Sequence, residues 1–475
     1  MQPISSEYIK YIFQEGYEWK VIQNKKLPLK EKVAYGFGDL GNGFMFDLGQ
    51  SYLLKFFTDV LNIPAVVGGT VFLISKIFDA FADVTVGTIV DSRKKIGKRG
   101  KFRPFILYGT LPLAITTVLC FLVPNLSMAG RIAFAYITYM LFGLAYSFVN
   151  IPYGSLAAAM TQDSVERTKL ASFRQAGSNL AVLITGVAVI PLILNFSDSK
   201  VGYPVVMGLM ALIGTVFHLI CYKYTVEHVR VDAPEKKKEP ISKMFKVLFS
   251  NKPLMILNLM SLLTISFYNL KVGMMVYYAQ YVLGNANLTG TLNFVSIGCS
   301  LIGVAVMPLV VKKNRKESYF FLVGLGIWVA GDLINYMLPG NKAVFITFSS
   351  IAWFGTAFMN GMTWAFISDA VEYGEWKTGE RTEGIIYSTF SFCRKLAQAL
   401  AGFIPGVVLS LIGYIPNVQQ SAETLAGIKS LMLLYPAIGA GIAILTFVFL
   451  YNLTDDKYKH ILAELSARKE AKAIQ

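Results

Sequence analysis

The chain has 475 residues, 54% hydrophobic and 15% charged, with a mean hydropathy of +0.52 and a formal net charge of +15. Soluble domains carry about 25% charged residues, and a soluble chain of this length divides into two or three of them. That class is excluded, and the composition points to a protein whose solvent is lipid.

Four cysteines (Cys120, Cys221, Cys299, Cys393) sit in apolar stretches and the three histidines (His218, His228, His460) are scattered. Neither a disulfide framework nor an imidazole metal centre is expected, and HExxH, GxSxG and Walker-type patterns are absent. Residues 1–30 are polar and lack the short apolar core of a secretory signal, so the first span is expected to be retained.

A bilayer crossing takes about 20 apolar residues, and twelve segments qualify in chain order. They run Gly36 to Phe57, Pro64 to Val90, Pro104 to Val123, Ile132 to Met160, Phe173 to Phe196 and Tyr203 to Tyr222. The second group runs Pro253 to Leu283, Leu288 to Val311, Tyr319 to Leu338, Ala343 to Ile367, Ile385 to Ile415 and Ile428 to Tyr451. The polar stretch 223–252 divides them six and six. The expected organisation is a tail 1–35, a first bundle 36–222, a central loop 223–252, a second bundle 253–452 and a tail 453–475.

Alternate loops and both tails take nearly all of the 44 Lys and Arg residues, while the opposite loops hold only Arg131, Lys200 and Lys342. Short cytoplasmic loops retain positive charge, so both termini are expected in the cytoplasm of a multi-pass cell-membrane protein. The basic excess is explained by topology and by attraction to lipid headgroups, with no nucleic acid required. A short basic loop follows the second span (Asp91 to Arg103) and another follows the eighth (Lys312 to Glu317), so the halves rhyme. Two parallel six-helix repeats around a central cavity describe the major-facilitator architecture, the expected all-α membrane fold.

Charges inside spans cost a few kcal/mol or more, so each needs a partner, an aqueous cavity or an exit by snorkelling. The basic ones are Lys55, Lys76, Arg174, Lys271, Arg394, Lys395 and Lys429. Lys55 and Lys429 lie near span ends and are read as snorkelling. Asp79 and Asp83 stand four residues apart within the second span, on one helical face. Carboxylates so close in a low-dielectric site hold a cation between them or retain a proton until a countercharge arrives; the plainer alternative is a pair of permanent salt bridges, to Lys76 or Lys395, that only lock helices together. Arg394 and Lys395 lie in the eleventh span with Ser391 one turn before Lys395, and Arg174 opens the fifth near its cytoplasmic end, where contact with lipid phosphate suits it equally well. A cation facing the acid pair can swing between it and a substrate. Spans four and ten mix polar and aromatic residues: Tyr146, Ser147, Asn150 and Tyr153 in one, Asn360, Thr363 and Trp364 in the other. That mixture suits a carbohydrate, and it equally suits ordinary interhelical packing.

Several runs resemble, in order and over nearly the whole chain, the glycoside–pentoside–hexuronide:cation symporter family, to which melibiose permeases belong. They are Ala34-Tyr-Gly-Phe-Gly-Asp39, Phe78-Asp-Ala-Phe-Ala-Asp83, Gly100-Lys-Phe-Arg-Pro104, Asn150-Ile-Pro-Tyr-Gly-Ser155 and Asp369-Ala-Val-Glu-Tyr-Gly-Glu375. Glu372-Tyr-Gly374 and Phe392-Cys-Arg-Lys395 add a likeness to the glucuronide-carrier and xyloside-transporter branch.

The resemblance implies a cation site at Asp79 and Asp83, with Ser147 adding a hydroxyl. It implies a sugar site drawn from Asn42, Asn150, Tyr153, Arg174, Ser391 and Lys395. Where melibiose permeases carry an Asn between the cation-site acids this chain has Ala82, which removes an oxygen ligand. Gly43 and Asn150 replace two acids that hold galactosyl hydroxyls, and Gly154 replaces a stacking Trp. The expectation is a monomeric cation:glycoside symporter, with a glucuronide or xyloside as substrate, H⁺ or Na⁺ as coupling ion and no cofactor. Sodium, if it is the ion, is to be held by Asp79 and Asp83.

Two other classes compete. A membrane enzyme acting on a lipid-linked sugar has Asp369, Glu372 and Glu375 as its candidate acids, but their spacing also suits gating ion pairs with Arg381 or the basic loops. A nontransporting sensor ordinarily carries an added soluble domain, for which 453–475 is short.

Overall fold

A computed structural model describes residues 26–93, 97, 99–229, 249–314, 317–338, 340–379, 382–453 and 455–474. Much of the basic loop after the second span, most of the central loop, Arg315, Lys316 and Arg381 lie outside the described residues.

The first half contains α1 (Leu29–Asp59), α2 (Ala65–Ser92), α3 (Arg103–Leu119), α4 (Met128–Met160), α5 (Ser164–Leu194) and α6 (Ser199–Tyr224). The second contains α7 (Lys252–Tyr277), continued by a π turn over Tyr278–Val282, then α8 (Leu288–Asn314), α9 (Glu317–Met337), α10 (Lys342–Thr378) and α11 (Glu383–Leu411). The last span, α12, is Ala422–Lys429 and Tyr435–Leu450 joined by a π turn, Ser430–Leu434; α13 (Asp455–Ile474) follows it.

Ten of these helices are long and apolar enough to cross a membrane. The other two expected spans are α3, with 17 residues, and α1, whose 31 residues include Asp39, Asp47, Lys55 and Asp59. The chain is an all-α membrane protein of major-facilitator type.

Local signals set the ends. Pro104 and Pro253 open α3 and α7, where the missing N–H costs nothing. Ser127, Asp163, Asp198, Asn251, Asn341 and Ser421 cap helix starts with a side-chain oxygen. Helices run past their apolar cores for this reason: α5 starts at its Asp163 cap rather than at Phe173, which places Arg174 well inside the helix. Glu227, beyond α6, accepts from the backbone N–H groups of Lys101, Phe102 and Arg103 at 2.7, 2.8 and 3.0 Å. A carboxylate there satisfies orphan donors and meets the positive end of the helix dipole.

Helix pairings repeat with an offset of six. In the first half α1 packs on α5 and α6, α4 on α2 and α3, and α3 on α6; in the second, α7 packs on α11 and α12, α10 on α8 and α9, and α9 on α12. The halves meet through α2 against α11, α5 against α8 and α1 against α7, an arrangement that maps onto itself when the halves exchange.

That junction is tight at the end opposite both termini. A Cβ on Gly69 of α2 would lie 2.9 Å from the Phe403 carbonyl and 3.2 Å from Gly406 Cα, so backbones touch there as small residues permit in membranes. Asn293 of α8 donates to the Gly186 carbonyl of α5 at 2.8 Å.

At the same end Lys55 was expected to snorkel, and it does not. It is buried, 2.5 Å from Asp59 and 3.3 Å from the hydroxyls of Tyr281 and Tyr414 on the second half. The acid one turn away and the tyrosine cage outcompete a reach to water. Lys429 likewise donates to the Leu338 carbonyl at 2.8 Å, serving the C-terminal end of α9.

The tail 453–475 forms α13, docked on α10. Tyr458 donates to Glu372, Trp376 Nε1 donates to Glu464 at 2.6 Å, and Arg468 reaches the Trp376 carbonyl at 2.9 Å. Glu372 therefore anchors the tail helix rather than pairing with a basic loop.

Candidate functional site

The candidate site lies midway through the bundle, between α1, α2, α4 and α5 on one side and α10 and α11 on the other. Asp79 and Asp83 share one face of α2, as their spacing requires, yet each has its own cation. Lys76, three residues before Asp79, lies 3.2 Å from its Oδ2 and rests over the Phe46 ring at 4.5 Å. Asp79 Oδ1 is buried without a partner among the described residues. The absence of a side chain at Gly143 makes room for it, since a Cβ there would lie 1.8 Å from that oxygen.

Asp83 reaches across the junction and pairs with Lys395 of α11. The Ser147 hydroxyl of α4 lies 2.5 Å from Asp83 Oδ1. Lys395 also feels the charges of Asp79 and Lys76, so two ammonium groups and two carboxylates form one cluster. Asp83 and Lys395 retain 31% and 29% exposure, and since the opposite end is closed, the route to them comes from the termini end.

Arg174 does not face this cluster. It sits on α5 against α1, with Nε 2.7 Å and Nη2 3.3 Å from the two oxygens of Asp39, and its guanidinium covers the Tyr153 ring at 4.6 Å. Asp39, not singled out as a site residue in the sequence, supplies the countercharge that keeps Arg174 from the lipid headgroups.

Tyr153 is buried behind this pair. Its hydroxyl donates to the Tyr35 carbonyl at 2.6 Å and accepts from Asp39 N–H at 3.1 Å. It positions Asp39 and Arg174 from behind rather than presenting a face to the cavity.

Asn42 Nδ2 reaches Asp39 Oδ1 at 3.1 Å and Asn150 Oδ1 at 3.5 Å, leaving Asn42 Oδ1 buried without a partner among the described residues. A buried amide oxygen left open is an acceptor available to a ligand hydroxyl. Ser391 is exposed on α11, one turn before Lys395.

Tyr146 of α4, stacked on Phe46 at 3.9 Å, marks the middle: Asp39, Asp47 and Arg174 on its own half, and Arg394 on the other, all lie within its electrostatic reach. Asp47, on α1 one turn beyond Gly43, is a second acid that the sequence reading missed. The signal available was arithmetic: several intramembrane cations demand intramembrane acids, and α1 holds three. The charged groups gathered here are thus Asp39, Asp47, Asp79 and Asp83 against Lys76, Arg174, Arg394 and Lys395, and their sum is formally neutral.

Such a set of groups can bind and exchange charges between the two halves. A family model described as MFS/sugar transport protein matches residues 34–455. The chain is 53% identical over 441 residues to the uncharacterized symporter YjmB of Bacillus subtilis (strain 168), covering 93% of this chain and 96% of that one. It is 44% identical to a putative sulfoquinovose importer of Escherichia coli (strain K12), covering 94% and 95%. The glucuronide carrier protein homolog of the same bacterium is 37% identical, covering 94% and 97%.

Among solved structures, a bacterial homolog of the human lysosomal transporter Spinster superposes with a TM-score of 0.64 at 11% identity, covering 91% of this chain and 97% of that one, which speaks to the fold alone. The relatives are transporters rather than enzymes. The chain belongs to the MFS/sugar transport protein family and is a sugar transporter of the glycoside–pentoside–hexuronide symporter type.

Proposed function

We propose that the chain moves a sugar acid of the glucuronide class across the cell membrane in symport with a proton, by alternating access. The observation that carries this reading is the ion pair between Asp83 and Lys395, which ties the two halves together through one acid and one base. A proton arriving at Asp83 breaks the pair and adds one positive charge to a neutral cavity; an anionic sugar restores neutrality. Either ligand alone leaves an uncompensated charge in a low-dielectric cavity, which opposes closure. Both together lower the barrier for the halves to rock, which is symport.

The donor set supports a proton over sodium. Hard cations take several oxygen ligands, whereas beside Asp83 there is one hydroxyl, from Ser147, a methyl at Ala82 and an ammonium already in place. Asn42 and Asn150, with the Asp39–Arg174 pair beside them, suit ring hydroxyls. A neutral xyloside is the second reading, favoured by that amide pair, which reads hydroxyls without regard to charge.

With both termini in the cytoplasm, as the Lys and Arg distribution supports, the closed end faces outward and the cavity opens inward. The deciding experiment is uptake of a labelled glycoside panel into vesicles under separately imposed proton and sodium gradients. Accumulation of a glucuronide with the proton gradient alone is the expected result. Accumulation that follows only sodium, or only neutral glycosides, overturns it.

A further inference from the structure

Five of the bundle's intramembrane cations are committed to acids: Lys55 to Asp59, Lys76 to Asp79, Arg174 to Asp39, Lys271 to Asp332 and Lys395 to Asp83. Arg394 has no ion pair or hydrogen bond among the described residues. It is half-buried on α11, and its guanidinium lies 5.4 Å from the ring centroid of Trp364 on α10.

The Trp364 ring stands edge-on to Phe390, with centroids 5.1 Å apart at 80°, and runs nearly parallel to Tyr387 at 6.4 Å. Phe390 is buried and fixes the indole, yet Trp364 remains 45% exposed. Arg394 lies near Tyr146 of α4 on the opposite half and so borders the junction. The acid left over on that half, Asp47, lies instead within reach of Asp39 and Lys76. A half-buried guanidinium therefore stands over a partly exposed indole that Phe390 braces, with its donors unspent.

From this we infer that Arg394 and Trp364 form the subsite that reads the acid group of the substrate. The planar fork takes the carboxylate or sulfonate oxyanion, and the adjoining indole takes the apolar face of the pyranose ring. Guanidinium matches such oxyanions in a bidentate fashion that an ammonium does not, and a cation without a direct partner at this depth favours an anion beside it when the cavity closes.

Labour then divides between the halves. Asn42, Asn150 and the Asp39–Arg174 pair read hydroxyls on the first half, and Arg394 with Trp364 reads the acid on the second. The ligand becomes the bridge that closes them. Lys395, next in sequence but a third of a turn round the helix, stays with Asp83 for coupling.

The inference rests on the sugar-acid reading and is tested so that the two fail separately. Purified protein in nanodiscs is assayed by competition among methyl β-glucuronide, methyl β-glucoside and sulfoquinovose, for the native chain and for Arg394→Gln, Arg394→Lys and Trp364→Phe. The native chain is expected to prefer the two acids over the neutral glucoside by tenfold or more, as for one charge-assisted contact. Arg394→Gln is expected to weaken the two acids at least tenfold more than the neutral glucoside and so erase that preference, and Arg394→Lys to retain part of it.

Ligand-induced change in tryptophan fluorescence is expected in the native chain and lost in Trp364→Phe. A native chain with no preference for either acid overturns the sugar-acid reading and this subsite with it. A native preference that survives Arg394→Gln, or a variant that weakens acid and neutral sugars alike, overturns the subsite while the reading stands. Unchanged melting temperatures of the variants exclude misfolding as the cause, and an Arg394→Lys variant that keeps the full native preference overturns the bidentate contact. Whether glucuronide or sulfoquinovose binds more tightly separates carboxylate from sulfonate.

Discussion

Lys395 of α11 meets Asp83 of α2 across the junction of the two halves, 312 positions apart in sequence, with the Ser147 hydroxyl on the far side of the carboxylate. The pair is partly exposed, so water and protons have access to it from the open end. An ion pair that must break and re-form each cycle serves coupling only if its strength changes with protonation of the acid. Replacing Asp83 with Asn fixes the protonated state. It is expected to abolish accumulation of a labelled substrate against its gradient while sparing exchange across a vesicle membrane with substrate on both sides. Unchanged accumulation would sink the assignment of Asp83 as the coupling group.

Asp39 and Arg174 call for a different test, because they touch the amide pair rather than the coupling cluster. The guanidinium lies over Tyr153 and against the carboxylate, and Asp39 in turn holds Asn42. Asp39→Asn leaves Arg174 without its countercharge and loosens Asn42. The expected result is a loss of about tenfold or more in substrate affinity, the usual scale for removing a charge-assisted hydrogen bond. Exchange and proton-driven uptake are expected to fall together, both recovering at raised substrate concentration. Equal affinity in Asp39→Asn and the native chain, by equilibrium competition, would remove this pair from the sugar site.

Much of this arrangement was readable in the residues. The spans follow from runs of apolar residues, and Asp79, Asp83 and Lys395 stand out because charge inside such a run is costly. The Lys76–Asp79 pair obeys helical spacing. Lys55 and Asp59 obey it too, although a lysine near a span end suits snorkelling by position alone. What sequence spacing does not carry is the partner on another helix: Arg174 finds Asp39 across 135 positions and Lys271 finds Asp332 across 61. Those matches depend on how helices rotate within the bundle, which the weakly amphipathic apolar spans leave open and close packing at glycines decides. Tyr153 illustrates the converse. Its residue type suits a sugar, but burial between α1 and α4 fixes it as a support.

At the closed end, Lys55 and Asp59 of the first half share a cage with Tyr277, Tyr281 and Tyr414 of the second. The Tyr414 and Tyr281 hydroxyls donate to Asp59 at 2.7 and 2.9 Å, and Asn417 donates to the Asp59 carbonyl at 2.7 Å. Beside it lies a cavity of about 450 Å³ that reaches Lys200 and Gln280. Every one of these bonds must break when this end opens, so the cage stabilises the closed state selectively. Asp59→Asn removes the charge from several of them at once. The expected shift in the open-to-closed ratio at this end is at least tenfold, since about 1.4 kcal/mol suffices for that factor. Spin labels at Lys200 and Val418, in a chain freed of its four cysteines, are expected to show a longer distance component that the unsubstituted cage lacks.

Lys271 and Asp332 make the most deeply buried pair in the second half, with 1% and 0% side-chain exposure and N–O distances of 2.5 and 2.7 Å. Trp328 Nε1 donates to the same carboxylate at 2.8 Å, and the ammonium lies about 6 Å from the rings of Trp328 and Trp353. Unlike Asp83 and Lys395, neither group has a route to water, and the ends of the pair are satisfied from within α7 and α9. The arrangement is a brace. Removing one partner leaves an uncompensated charge and is expected to destabilise the protein by roughly 3–5 kcal/mol, whereas replacing both with apolar residues of similar volume is expected to recover most of that loss. Thermal unfolding of Lys271→Met, Asp332→Leu and the double variant measures this. The double variant is further expected to transport at close to the native rate. A double variant that folds with native stability and yet fails to transport would move the pair from the frame of the molecule into its cycle.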